Sequence, residues 1–271
     1  MKRFGLFAAV SFVALSLFAG AAFAGELVIK GSTTVLPIAQ AAAESYMEAN
    51  DDVTISVSGG GSGNGIKALV DGTTDIANAS RFIKDKEVKA AVENGHYPVP
   101  FAVAVDAILP VVHPSNTVKD LSTQQLHDIY SGKITNWNEV GGPDMKIAAV
   151  TRDTSSGTFE VWEEKIMSKD KITPRALVVA SNGAMVQTVA GNKAAVGYIG
   201  IGYADESTKS LSVDGIEGTP KSAVNGTYPV SRYLYMFTDG WPTGETMDFL
   251  NFVLSDAGQK IVAGTGYVPV R

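Results

Sequence analysis

Short apolar runs of strand length alternate with stretches of helical spacing along most of the chain, and that alternation limits the fold more than any other feature. Leu27-Val28-Ile29 reads as a strand, after which Val35, Leu36, Ile38, Ala39, Ala42, Ala43, Tyr46 and Met47 recur at helical intervals. Residues 53–57 alternate as a second strand. Ile66, Leu69 and Val70 mark a short helix, and Asp75-Ile76-Ala77 a third strand ending at Ser80-Arg81. Residues 85–92 read as a helix. Residues 101–112 form one long apolar run, read as a buried strand interrupted by Asp106 and Pro110. Leu121, Leu126, Ile129 and Tyr130 then share a helical face, with Asp120 or Ser122 as its cap. Residues 147–150 read as a strand, and Phe159, Trp162 and Ile166 have helical spacing. Residues 178–179, 196–199 and 234–237 read as strands, and a last helix is expected over 246–263. Strands alternating with helices imply an α/β architecture.

The chain is long enough for one large domain or two smaller ones. The run at residues 101–114 separates two portions rich in strand–helix units, and Asn225-Gly226 to Pro229 offers a return point. The expected division is residues 25–106 with 227–271 in one lobe and 107–226 in the other. Two crossings make a hinge, and a ligand site between lobes follows from it. Residues 1–24 read as a targeting segment. Lys2 and Arg3 lead an apolar stretch at 4–18, and Ala22-Phe23-Ala24 is a cleavage signal before Gly25. The expectation is an exported protein, soluble after removal of that segment, in a space bounded by an outer membrane.

The chain has no cysteine, so its fold uses no disulfide even in an oxidising compartment. Without Lys2 and Arg3, 20 basic residues face 28 acidic ones, a net charge of −8. A chain this acidic, with no basic run, is a poor candidate for binding nucleic acid or an anionic membrane. Any anion must be captured by local donors.

Such donors occur in three Ser/Thr/Gly segments, each just ahead of a helical stretch. They are Gly31-Ser32-Thr33-Thr34, Ser58-Gly59-Gly60-Gly61-Ser62-Gly63-Asn64-Gly65, and Arg152-Asp153-Thr154-Ser155-Ser156-Gly157-Thr158. First-turn N–H groups point beyond the helix and carry partial positive charge. Small hydroxyl residues cap that end or donate further bonds, and glycine lets a ligand approach the backbone. One such segment is an ordinary helix start, and a lone arginine most often makes a surface ion pair. Three segments from separate parts of the chain, with Arg81 after Ser80 and Arg152 beside the third, point together to a small-anion site. Asp106 stands out as a carboxylate inside an apolar run, where it needs a partner. It is read either as the ion-pair partner of Arg81 or Arg152, or as the acceptor for a proton carried by the anion. An acceptor would favour hydrogen phosphate over sulfate.

Catalytic readings fare worse. Gly60-Gly61-Ser62-Gly63 approaches a nucleophile elbow, but position 64 is Asn, and His96, His113 and His127 have no evident orienting partner. Gly60-x4-Gly65 fails as a P-loop because Ile66 precedes Lys67 and Ala68 follows it. The Gly-rich stretch is a weak dinucleotide fingerprint, and the sequence has no metal-ligand spacing. The expectation is a binding protein with no cofactor and no metal. A receptor for sulfate, molybdate or an organic phosphate is the first alternative, and a secreted phosphatase-like hydrolase the second.

These residues resemble the PstS family, the phosphate-binding component of bacterial high-affinity phosphate ABC transporters. The resemblance rests on Gly31-Ser32-Thr33-Thr34-Val35-Leu36-Pro37, Gly60-Gly61-Ser62-Gly63-Asn64-Gly65-Ile66, Ala79-Ser80-Arg81 and Arg152-x3-Ser156-Gly157-Thr158. Residues 130–137, Gly141-Gly142, residues 195–198, Tyr228-Pro229-Val230-Ser231-Arg232, residues 255–259 and 266–269 extend it over nearly the whole chain in order. It implies a two-lobe periplasmic-binding-protein fold of type II that closes on inorganic phosphate and docks, as a monomer, on a permease and ATPase complex in the inner membrane. Carried over by residue, Thr33, Thr34 and Ser62 would donate from one lobe, and Arg152, Ser155, Ser156, Gly157 and Thr158 from the other. Some members have an aspartate as the proton acceptor where this chain has Arg81. Here Ser80 and Arg81 would instead add donors, and Asp106 would take the acceptor's place or balance Arg81.

Overall fold

The structure is a computed structural model that describes residues 25–271. The expected targeting segment, residues 1–24, lies outside the described residues. The first part of the chain runs β1 (Gly25–Gly31), α1 (Leu36–Ala49), β2 (Val53–Ser58), α2 (Ser62–Val70), β3 (Ile76–Ala79), α3 (Asp85–Glu93) and β4 (Pro98–Val112). It continues with β5 (Asp120–Leu121), α4 (Thr123–Ser131), β6 (Ala148–Arg152), α5 (Gly157–Lys165), β7 (Leu177–Val179), α6 (Asn182–Ala190) and β8 (Ala195–Gly200). The last part holds β9 (Lys209–Ser210), β10 (Ser212–Val213), α7 (Pro220–Val224), β11 (Ser231–Asp239), α8 (Gly244–Leu254) and α9 (Asp256–Gly264). The α/β class read from the alternation is the class observed.

One sheet carries the fold, in the order β2-β1-β3-β11-β4-β8-β6-β7, with β9 also paired to β4. Strand β1 is parallel to β2 and β3, and β6 is parallel to β7 and β8. Between these parallel groups, β11 and β4 run antiparallel. β4 belongs to both sides. Up to Ala107 it pairs with β11, and from Ile108 it pairs with β8. The apolar side chains of β4 divide nearby, Val103 and Ala104 packing on one side and Val105 onward on the other. Leu27, Ile38, Phe249 and Leu234 belong to one core, and Ile108, Leu126, Trp162 and Val230 to another. The chain returns between Val230 and Ser231, where the Ile108 amide donates to the Val230 carbonyl at 2.9 Å.

Two expectations change. Residues 101–112 are not interrupted: β4 is a continuous strand of 15 residues. Asp106 stays in register opposite Arg232, and the Pro110 carbonyl accepts the Leu211 amide at 2.9 Å. The last helix is two helices, because Ser255 is extended (φ −72°, ψ 167°) and its hydroxyl accepts the Gly258 amide at 3.2 Å as the cap of α9. Helix α6 was absent from the periodicity reading, since its nine residues present only Asn182, Met185 and Val189 to the interior. Among the described residues no helix is long and apolar enough to cross a membrane.

Candidate anion-binding site

The three Ser/Thr/Gly segments all begin at the carboxyl ends of parallel strands: β1 leads into Ser32-Thr33-Thr34, β2 into the glycine loop, and β6 into the Arg152 segment. β3 adds Ser80, and β7 leads to Asn182. Carboxyl ends of parallel strands are where open α/β sheets gather ligands, because helix N-termini and turning loops meet there. Here the ends from the two sides of β4 face each other.

Thr34 and Thr158, from opposite sides, have their hydroxyls 3.0 Å apart. The Ser62 and Ser80 hydroxyls lie 3.2 Å apart, and the Ser80 amide donates to Ser62 Oγ at 3.0 Å. A Cβ built on Gly157 would stand 2.4 Å from Ser62 Oγ and 2.8 Å from Ser80 Oγ, so only glycine lets α5 begin this close. Gly61 is held at φ +100°, where a Cβ would strike Ser155 Oγ at 2.4 Å. Of the hydroxyl residues in these segments, Ser156 caps its helix, accepting the Phe159 amide at 3.2 Å. α1 and α2 have no side-chain cap bond, so Thr33, Thr34 and Ser62 are not there to cap.

Arg152 is 2 % exposed. Its Nε donates to the Val179 carbonyl at 3.1 Å, and its Nη2 to the Ala180 carbonyl at 2.9 Å and to Thr33 Oγ1 at 3.2 Å. Its backbone is fixed by the Tyr198 hydroxyl, which accepts the Arg152 amide at 3.2 Å while Tyr198 stacks on Trp162 with ring centres 4.3 Å apart. Nη1 is buried with no hydrogen-bond partner. Among the described residues no carboxylate ion-pairs with this guanidinium; burial presses its pKa down, and nearby Tyr198 and Asp153 oppose that only in part. A buried cation with Nη1 unpaired and a threonine hydroxyl on Nη2 is suited to an anion.

Two other candidates are corrected. Arg81 does not offer its fork to this cluster. Its Nη1 and Nη2 grip both oxygens of Glu87 at 2.8 and 2.7 Å, and its Nε lies 2.6 Å from Glu160. Glu87 stands there because it closes the first turn of α3, accepting the Lys84 amide at 2.9 Å. Asp106 is fully buried, but it pairs with neither Arg81 nor Arg152: its cation is Arg232. Arg232 Nε and Nη2 hold Oδ2 at 2.8 and 2.7 Å, and the Ile201 amide holds Oδ1 at 2.9 Å. Burial pushes this carboxyl's pKa up, while Arg232 and the Ile201 and Ala107 amides pull it back. Ser155 spends its hydroxyl on the Gly60 carbonyl (3.1 Å) and on Asp153, bridging the two sides at the rim.

Sequence reasoning missed two residues. Arg232 Nη2 donates to Thr158 Oγ1 at 3.0 Å, and its Nη1 to the Ser80 carbonyl at 2.9 Å. Asn182 Nδ2 reaches Thr33 and Thr34 Oγ1 at 3.2 and 3.1 Å, and its Oδ1 accepts the Gly200 amide at 3.2 Å. The signal for Asn182 was available, because Ser181-Asn182-Gly183 is a fourth small-residue segment at a helix start. With these donors directed at their oxygens, the threonine hydroxyls are acceptors here, and one of the Thr34–Thr158 pair donates to the other. The histidines lie elsewhere: His96 bonds Asp239, His113 bonds Ser115, and His127 bridges Asp128 and Asp170.

Comparison with known proteins agrees with this geometry. Residues 18–257 match the family model described as a PBP superfamily domain. The phosphate-binding protein PstS of Bacillus subtilis is 36 % identical over 252 residues, spanning 91 % of this chain and 81 % of that protein. The chain belongs to the PstS family. The PstS of Pseudomonas aeruginosa is 31 % identical over 310 residues, spanning all of this chain and 96 % of that one. A phosphate ABC transporter substrate-binding protein from Clostridium perfringens, solved with bound phosphate, superposes with a TM-score of 0.86 at 36 % identity, covering 91 % of this chain and 100 % of the other. A phosphate-binding protein from Stenotrophomonas maltophilia shares the fold at 15 % identity, with a TM-score of 0.75 over 91 % of each chain.

Proposed function

We propose that this chain is a receptor that binds inorganic phosphate between its two halves and delivers it to an ABC permease. The observation that carries the proposal is the buried Arg152, with Nη1 free and Nη2 on Thr33, whose neighbours through Asn182 are the paired hydroxyls of Thr34 and Thr158. The B. subtilis and P. aeruginosa relatives are named for phosphate binding, and the C. perfringens relative for phosphate ABC transport. Delivery to a permease with a cytoplasmic ATPase, export to the periplasm and action as a monomer belong to the same reading. The proposed lobes are residues 25–106 with 227–271, and 107–226. The partner change of β4 at Ala107/Ile108 supports the first boundary, and the return at Val230/Ser231 moves the second a few residues along. Phosphate would meet one half first. Closure would then exclude water and strengthen each charge-assisted bond. Among the described residues no histidine bonds a serine of these segments, and the carboxylate that does, Asp153, holds Ser155 at the rim beside the Gly60 carbonyl, so binding without turnover is the favoured reading over a hydrolase.

Calorimetry on the purified protein, stripped of anion, tests this. Phosphate should bind tightly with one-to-one stoichiometry, and no heat with phosphate would end the proposal. Sulfate is the informative competitor. Asp106 is engaged by Arg232 and the Ile201 amide, so the proposed discrimination comes chiefly from shape and donor placement, and measurable sulfate binding is compatible with this site. A second expectation concerns Gly157. Gly157→Ala places a methyl against Ser62 and Ser80 only when the halves close. It should therefore weaken phosphate binding at least about tenfold, the scale of one overpacked contact, while thermal unfolding of the ligand-free protein barely changes.

A further inference from the structure

We propose that Glu160 is a positioning residue that latches the closed state from outside the phosphate shell, its carboxylate inserting between Arg81 and Lys84 of the opposite half. The inference rests on the reading that the two halves close on a ligand. Glu160 lies on α5, two residues after Thr158, so whatever holds Glu160 also holds the helix end that faces the anion. Its Oε2 stands 2.6 Å from Arg81 Nε and 2.5 Å from Lys84 Nζ. The Arg81 contact is ionic rather than a well-aligned hydrogen bond, since neither atom meets hydrogen-bond geometry with the other.

The socket is built in advance. Glu87 grips Arg81 through two bonds within one half and also holds the Lys84 amide. The Arg81 guanidinium is therefore in place whether or not α5 is near, and the Lys84 backbone is fixed beside it. Burial raises the Glu87 pKa, but Arg81 and Lys84 outweigh it and hold the group below the usual carboxylate range, so Glu87 stays ionised and keeps its grip on Arg81. The side chains of Arg81 and Glu160 are 7 % and 13 % exposed, whereas Lys84 is 41 % exposed. The latch thus sits at the wall of an open groove of about 500 Å³ that is also lined by Phe82, Glu163, Lys165 and Tyr235. Water and salt reach its rim, so its strength lies between that of an exposed pair and a buried one. It differs from the cross-contacts of Thr34–Thr158 and Arg152–Thr33 in touching no ligand-facing group.

A latch acts on the lifetime of the closed state. Glu160→Gln keeps the shape and removes the charge. Phosphate affinity should fall about 5- to 30-fold, between the values for exposed and buried pairs, and release of labelled phosphate into unlabelled excess should quicken by the same factor. The chain has no cysteine, so Lys89→Cys and Lys171→Cys give two unique spin-label sites, one on each half. With phosphate below saturation, the short-distance population should be smaller in Glu160→Gln than in the parent. Lys84→Gln should act in the same direction, and the double variant should lose less than the sum, the mark of direct coupling. High salt should weaken the parent more than Glu160→Gln. Unchanged distances and release rate in Glu160→Gln would overturn the latch, and so would strict additivity with Lys84→Gln. If the parent itself bound no phosphate, the proposed function would fail, and the distances in ligand-free parent and variant would still decide the latch.

Discussion

Arg152→Ala should weaken phosphate binding by about 2–5 kcal/mol, the scale for truncating one partner of a buried charged pair. At 1.4 kcal/mol per tenfold, that is a loss of about 30- to 4,000-fold. The size follows from where the guanidinium sits. It is 2 % exposed, held by the carbonyls of Val179 and Ala180, with Nη1 directed at nothing in the protein. The carbonyls of Val179 and Ala180 fix the guanidinium within its own half, so part of its desolvation is incurred on folding, and closure onto Thr33 completes it around the anion. The same logic predicts the opposite sign for stability. Without its anion, Arg152 is a buried cation lacking a counter-charge, so Arg152→Ala should leave the ligand-free protein as stable as the parent or more so. Titration calorimetry reads the first effect and thermal unfolding without phosphate the second. Near-normal affinity would remove Arg152 from the site. Arg152→Lys separates charge from geometry, since a lysine has one ammonium where the arginine has a fork, and it should recover only part of the loss.

The sequence made the site's hydroxyl segments legible because chain-local chemistry produces them: a strand ends, small residues turn the chain, and a helix begins. Thr33, Ser62 and Ser156 could be found from such spacing alone, and Asn182 could have been. Arg81 and Asp106 were misjudged for the opposite reason. What each does depends on a partner remote in sequence or on the other side of the sheet. Arg81 looked like a donor because it follows Ser80, yet Glu87, six residues on, and Glu160, from α5, take its whole guanidinium. Asp106 clearly needed a cation, but Arg232 becomes its neighbour only through the antiparallel register of β4 with β11. Boundaries followed a similar rule. The strands and α1 were visible as apolar periodicity, whereas the break at Ser255 depends on a cap that apolar spacing does not report.

The Asp106–Arg232 pair gives the largest expected effect on stability. Both groups are buried, at 0 % and 5 % side-chain exposure, and the pair joins β4 to β11 within two residues of the point where β4 changes partners. Removing one member leaves an uncompensated charge in the interior. Arg232→Met and Asp106→Asn should each destabilise the protein by about 3–5 kcal/mol. For a chain of this length that is a fall of roughly 6–20 °C in Tm, at about 2–4 °C per kcal/mol. Removing both together should cost clearly less than the sum, because neither charge is then stranded. The two single variants should also differ in binding. Asp106→Asn leaves Arg232 in place to donate to Thr158 and Ser80, so where the protein stays folded its preference for phosphate over sulfate should match the parent. Arg232→Met removes the donor that holds the Thr158 hydroxyl and should lose affinity as well as stability. An Asp106→Asn variant that folded normally but shifted preference toward sulfate would restore Asp106 as the proton acceptor. That outcome would place the proton on Oδ1, the oxygen that Arg232 does not hold and that takes the Ile201 amide.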